Sequence, residues 1–569
     1  MKVNQKAKKV LISVLALLVF GITACNGGGG GSSGGKLELK IVNYAGGVGR
    51  VWLDEAIARF EKEAEGKTYG AYKGVKFDVL HTMNPDIENI ATSARHIYFA
   101  GKAFDVRSLA QKGRLLNLND IVTEVGEDGK TIESKIDADY RIMFTANDGE
   151  YYGLPHYEFY SGLSYDIELF EENNYYFAAP NESDVQVYTS SAGFGSANFV
   201  ASKDAVKSCG PNGKSGDYDD GLPSSVQELL ILCDKMNSEI DNPILYAGGH
   251  EHYFNHLLTG LWASLAGAAE MKTYYSMTGD MEIVDGYEEE MLFGSEVAAP
   301  KVKTQTVTEA TGYYVTQQVA RYYASAFVEL AYNNDFIERK NTNFSNISAQ
   351  TAFINSGVGA TDVSGMFIEG SFWYNEAKDY NLFENYFAAT QNAKTSRKLG
   401  WMPLPVQWSG SVTEGNGSAP TLLDASGAAM FVNGRFANNE AVVNACKDFI
   451  KFLYTDAELS AFTGATGVVR GGLNYELTQA DYNRMDDFQK NIWDMRKEGT
   501  VIFPGSNTTT FLNNSSTWSI GTVAPIVRPR TNATYDSILS LLRTGNYNAK
   551  DYFVATSITE VKWSGYYQG

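Results

Sequence analysis

The chain has 569 residues, of which 44% are hydrophobic and 20% charged, with a formal net charge of −20. That length exceeds one ordinary core and calls for two or more lobes. The composition argues against a disordered chain or a multi-span membrane protein, and the acidity argues against a nucleic-acid partner, because it repels phosphate backbones.

In chain order, the first element is an address. Lys2, Lys6, Lys8 and Lys9 precede an apolar run at residues 11–22 (LISVLALLVFGI), which is signal-peptide length and too short to span a bilayer comfortably. The sequence Ile22-Thr23-Ala24-Cys25 resembles a bacterial lipobox. Residues 1–24 are read as a lipoprotein signal peptide, Cys25 as the lipidated residue, and 25–36 (with GGGGGSSGG at 27–35) as a flexible tether. The expectation is an exported chain held at the membrane by an N-terminal lipid.

Residues 37–42 (LELKIV) alternate as a strand, 43–50 (NYAGGVGR) form a Gly-rich turn, and 51–62 form an amphipathic helix with Leu53, Ile57 and Phe60 on one face. A second strand at 75–80 (VKFDVL) completes a strand–helix–strand unit, which implies a parallel pair in an open α/β sheet. Further on come a short strand at 104–106, a helix at 108–113, and a Tyr-rich crossover at 149–170. Residues 176–222 read as a polar insertion, ending before a helix capped at Ser224 or Ser225. A long helical stretch covers 309–334, and Thr455 to Glu458 form a capping box after the helical 441–454. Apart from Cys25, Cys209, Cys233 and Cys446 are an odd set, for which buried free thiols are favoured over a Cys209–Cys233 bridge.

Six segments, in order, resemble the extracellular solute-binding lipoproteins of bacterial ABC importers, in the carbohydrate class related to maltose-binding protein. They are the first strand, turn and helix ending at Glu63; 148–170; 222–236 (LPSSVQELLILCDKM); 365–373 (GMFIEGSFW); 399–405 (LGWMPLP); and 439–467. The resemblance implies an α/β, two-lobed periplasmic-binding-protein-like fold of type II, with open, mostly parallel sheets and a ligand cleft between the lobes. Lobe one would be 37–157 plus 425–475, and lobe two 160–420 plus 480–569, with 176–222 inserted. It also implies capture of a sugar or oligosaccharide for permease subunits in the membrane, by a monomer without catalytic activity.

A sugar offers C–H faces to aromatic rings and hydroxyls to planar polar side chains, and the 35 Tyr and 8 Trp suit such a surface. Glu251-His252-Tyr253-Phe254 is similar to the family's Glu-Pro-Tyr-Phe, so Glu251 and Tyr253 carry over as sugar contacts. Phe372 stands where the family places a stacking aromatic, and its larger neighbour Trp373 is held beside it. Trp518 matches a C-terminal stacking tryptophan, Glu158 and Tyr160 lie at the first crossover, and Asp105 follows its short strand as the family's Asp does. Gly47 and Val48 replace the family's Asp-Lys pair, which leaves Tyr44 and Asn43 to substitute in that loop and frees the specificity from maltose. Arg470 is read either as reaching the cleft or as a surface charge of lobe one.

The turn carrying Asn212, Asp217, Asp219 and Asp220 offers hard oxygens suited to a structural calcium ion, though not at EF-hand spacing; a solvated turn is the other reading. Two rival functions remain at this point. A secreted glycoside hydrolase needs two carboxylates flanking a bond, and an acidic chain supplies many pairs by chance. A surface glycan-binding protein without transport needs only the aromatic cleft.

Overall fold

The computed structural model describes residues 35–101, 106–337, 343–391, 393, 395–424, 426–504 and 537–567, with the backbone of two short strands at 518–520 and 527–529. Cys25 with its signal peptide and the tether up to residue 34, and Asp105, fall outside the described residues, as do the side chains of Glu251 and Trp518.

Strand Leu37–Tyr44 buries Leu39 and Ile41 completely and pairs in parallel with Val75–Thr82 on one side and Ile97–Ala100 on the other. Ala429–Val432 joins antiparallel to Ile97–Ala100, and Leu154–Pro155 completes this five-stranded sheet antiparallel to it. Helix Val51–Glu63 buries Trp52, Leu53, Ala56 and Phe60 in the same core, while Ile57 stays half-buried. Phe60 meets Phe449 and Phe452 of helix Glu440–Leu453 at ring distances of 5.0 and 5.3 Å. Val106 opens a helix, Val106–Gln111, rather than ending a strand.

A second sheet has the order Asn242–Leu245, Ser364–Gly370, Ser161–Asp166, Leu399–Met402. Its first pair is parallel and the other two are antiparallel. Both sheets are therefore mixed, which corrects the expectation of mostly parallel ones. The reason is where the chain crosses between lobes. Leu37–Tyr44 and Ser364–Gly370 run toward the lobe junction and end there. Ala429–Val432 and Ser161–Asp166 come directly from crossing segments, begin at the junction, and so run the opposite way.

The insertion is a packed part of lobe two. Val185–Thr189 and Ser196–Val200 form an antiparallel hairpin, and Phe177, Phe194, Phe199 and Val200 join the core of that lobe. Ser225 is the N-cap of helix Val226–Glu239, its hydroxyl accepting from Glu228 N, while the Glu228 carboxylate accepts from Ser224 N and Oγ. The stretch expected as one helix over 309–334 is two, a 3-10 helix Glu309–Gln317 and an α-helix Val319–Asn333, broken at the extended Gln318. The buried Gln318 side chain accepts from Trp262 Nε1 (2.5 Å) and donates to Glu270 (2.8 Å), so tertiary partners hold the break. Cys209, Cys233 and Cys446 are buried free thiols. Among the described residues no helix is long and apolar enough to cross a membrane.

Candidate functional site

The two lobes meet where the Gly-rich turn after Leu37–Tyr44 faces helix Trp373–Asp379. Gly47 has φ +72°, and a Cβ there would lie 2.6 Å from the Phe159 ring and 2.8 Å from Phe372 Cβ, so only glycine fits. Asn375 Nδ2 donates to Gly47 O (2.9 Å) and to Thr466 O (2.8 Å), tying the helix of lobe two to two elements of lobe one. Gln489 Nε2 donates to Thr466 O as well (2.9 Å).

Aromatic rings run through this junction. Phe372 is half-buried and lies 5.3 Å from Phe159 and 5.8 Å from His256, whose ring is 5.9 Å from Tyr253. His256 Nδ1 shares a 3.1 Å hydrogen bond with Ser161 Oγ, and burial lowers its pKa to about 3, so the ring is neutral. Tyr44 from lobe one and Tyr253 from lobe two share the field of one carboxylate, Glu376. Burial and Glu376 raise the Tyr44 hydroxyl, and burial with Glu369, Glu376 and Tyr44 raises that of Tyr253. Glu369 is fully buried, Oε1 accepting from Gly370 N (3.1 Å) and Oε2 without a protein partner. Glu376 accepts from Gln350 Nε2 (3.2 Å) and is pushed up to about 7, chiefly by burial. Tyr44, Tyr253, Phe372, Glu369 and Glu376 thus gather ring faces and hydrogen-bond acceptors from both lobes in one region.

No family model matches the sequence, and no curated protein matches it. Solved structures do. A chitin oligosaccharide binding protein superposes with a TM-score of 0.51 at 15% identity, covering 94% of this chain and all of that one. A structure from a study of xylan utilization by the thermophilic bacterium Caldanaerobius polysaccharolyticus superposes with a TM-score of 0.50 at 13% identity, covering 92% of this chain and 99% of that one. The fold is the two-lobed α/β periplasmic-binding-protein-like fold.

Within this periplasmic-binding-protein-like fold the expected site residues separate. Tyr44, Tyr253 and Phe372 come together at the lobe junction. Trp373 does not: it is fully buried among Phe353, Phe367 and Phe488, and its indole N–H donates to Ser164 Oγ (2.9 Å). Its ring faces are spent in the core of lobe two, which corrects its reading as a stacking platform. Glu158 and Tyr160 are also buried, as parts of the crossover itself. Glu158 Oε1 accepts from Tyr160 OH (2.7 Å) and Arg496 Nε (2.6 Å), and Oε2 accepts from Gly472 N (3.1 Å). Asp424 Oδ1 beside them accepts from Phe159 N and from Ser426 N and Oγ. Burial and the Glu158 charge push the Asp424 carboxyl up to about 7. These groups fasten the chain segments that join the lobes, and Glu158 and Tyr160 also line a small cavity there with Ser371, Asn375 and Gln489. Arg470 is neither a cleft nor a surface charge. It is buried, with its guanidinium 4.5 Å from Phe462 and 5.0 Å from Trp52.

Sequence reasoning missed Glu369, Glu376, Asn375 and His256. Glu369 was within reach, since it lies inside the 365–373 segment that carried the resemblance. The other three become visible only when helix Trp373–Asp379 is laid against the Gly-rich turn. The acidic turn is assembled as well: one carboxylate oxygen from each of Asp217, Asp219 and Asp220 lies within 4.8 Å of the others, and this cluster could hold a metal ion.

Proposed function

We propose that this chain is the membrane-anchored, extracellular substrate-binding component of an ABC importer, which captures a sugar or oligosaccharide between its lobes and delivers it to permease subunits. The observation that carries the reading is the joint supply of Tyr44 from one lobe and Tyr253, Phe372, Glu369 and Glu376 from the other. Rings and acceptors mixed in this way suit the alternating C–H faces and hydroxyls of a sugar. The fold supports it, and the chitin-oligosaccharide ligand of one structural relative puts oligosaccharides first among the ligands to try. Asp105, Glu251 and Trp518 extend the proposed contact set. Cys25 is the proposed lipid anchor, the protein acts as a monomer, and calcium is the proposed cation of the acidic turn.

The test is a panel of neutral oligosaccharides, chitin and xylan fragments included, followed by thermal unfolding and titration calorimetry. A ligand that binds only the folded chain raises the unfolding temperature by mass action. Tight binding confined to amino acids, peptides or metal ions would reject the reading, and cleavage of a bound oligosaccharide would turn it toward a hydrolase.

A further inference from the structure

The inserted segment of lobe two holds a second polar site, whose argument is independent of the sugar reading. Residues 209–220 fold back on themselves and pack against 413–417: a Cβ at Gly210 would lie 2.2 Å from Asp219 O, and one at Gly213 2.4 Å from Gly417 N. This brings together the carboxylates of Asp217, Asp219 and Asp220. Most of their oxygens have donors. Asp217 Oδ1 accepts from Asp219 N (3.3 Å) and Oδ2 from Asn212 Nδ2 (2.8 Å); Asp219 Oδ2 accepts from Asn212 N (2.9 Å); Asp220 Oδ2 accepts from Gly216 N (2.8 Å). Two are left over. Asp219 Oδ1, on a fully buried residue, and Asp220 Oδ1 are shielded from solvent and have no partner.

A buried carboxylate oxygen set against other carboxylates is costly unless a cation or a proton lies between them. The nearby lysines make their direct contacts elsewhere, Lys214 with Glu498 and Lys207 over the Tyr176 ring at 3.3 Å, and act on the cluster only through their charge. The Cys209 thiol points away, donating to Val412 O at 3.7 Å, so the free donors are hard oxygens only.

We propose that Asp217, Asp219 and Asp220 bind a calcium ion, with Asp219 Oδ1 and Asp220 Oδ1 as its free donors, and that the ion fastens the insertion to the body of lobe two. The fastening follows from what the turn already touches. Gly213 O and Pro211 O accept from Gly415 N and Ser418 N, and Asn212, Lys214 and Tyr218 all reach Glu498 at the end of helix Asp487–Glu498. Calcium fits better than magnesium because three clustered carboxylates supply hard oxygens directly, whereas magnesium dehydrates reluctantly and keeps several waters.

The experiment is thermal unfolding and calcium titration calorimetry of the purified full-length chain in calcium chloride, magnesium chloride or chelator, without sugar. The wild type is expected to unfold several degrees higher in calcium than in chelator, with magnesium giving less than half that rise. Asp219→Asn should abolish the calcium rise and bind calcium at least about 100-fold more weakly. In chelator it should unfold no lower than wild type, because it removes a buried unpaired carboxylate. A merely structural Asp219 would instead lower the chelator value and leave the calcium rise intact. If Asp219→Asn does not fold, Asp220→Asn carries the same expected loss of the calcium rise. No calcium heat and no rise in the wild type overturns the proposal. So does a rise that survives in both variants, and an equal magnesium effect overturns the choice of calcium.

Discussion

Phe372 and Trp373 are neighbours in sequence with opposite roles. At a helix start successive side chains point about 100° apart, so one turns to the lobe junction while the other enters the core. Replacing Phe372 with Ala is expected to weaken oligosaccharide binding by about tenfold, from the roughly 0.5–1.5 kcal/mol of ring stacking plus lost buried area, with stability little changed. Trp373→Ala should instead cost about 3–5 kcal/mol of folding stability, as for other buried aromatic truncations. Calorimetry and urea unfolding of the two variants separate these outcomes. Glu376 gives a pH signature at the same scale. Its carboxyl stands at about 7 against an ordinary 4.5, because burial penalises the charge, with Gln350, Glu369, Asp379, Tyr44 and Tyr253 as its neighbours. A raised acid binds its proton more tightly folded than unfolded. The stability it supplies is complete below about pH 4.5 and is lost as pH rises through about 7. Glu376→Gln keeps a hydrogen-bonding side chain opposite Gln350 and should flatten the fall in stability between pH 5 and pH 8 measured by urea unfolding; an unchanged slope would assign that fall to Asp424 and other groups.

Two elements make the lobe junction, the turn at 43–50 and helix Trp373–Asp379, and each is built for the other. The turn passes close to Phe159 and Phe372 because Gly47 has no side chain and adopts a left-handed φ. Gly47→Ala should therefore destabilise the chain, and the cost should appear in the cooperative unfolding temperature rather than as a loose terminus. Asn375→Ala removes both hydrogen bonds that cross from the helix to lobe one. At about 0.5–1.5 kcal/mol each, its expected cost is roughly 1–3 kcal/mol by urea unfolding. The break at Gln318 shows the same dependence on partners. A helical pattern runs unbroken through 309–334 in sequence, yet the buried contacts of Gln318 with Trp262 and Glu270 interrupt it.

For the whole molecule, a ligand touching both lobes makes more contact when they close on it, so it shifts the population toward the closed form in proportion to that difference. A smaller radius of gyration at saturating oligosaccharide is the expected scattering result. Cys25→Ala should release the protein from the membrane fraction while leaving oligosaccharide affinity unchanged, because a glycine-rich tether separates anchor from fold; retention of the variant in membranes would reject the anchor.

The sequence by itself determined the alternating first strand, the helix beginning at Val51, a cap at Ser224 or Ser225, the cap at Thr455, and, through six ordered segments, the two-lobed class. These are legible because periodicity and capping are local, with a physical cause inside a dozen residues. Tyr44, Tyr253 and Phe372 were legible only as members of motifs. Tertiary structure alone decided strand direction, since whether a strand starts or ends at the junction depends on where the chain crosses between lobes. It also decided that Glu158 and Tyr160 bind the crossover together, that Arg470 sits among aromatic rings, and that Glu376 stands beside both Tyr44 and Tyr253. Each of these depends on partners up to hundreds of residues away, and a side chain's burial and charge state are set by what packs against it rather than by what precedes it in the chain.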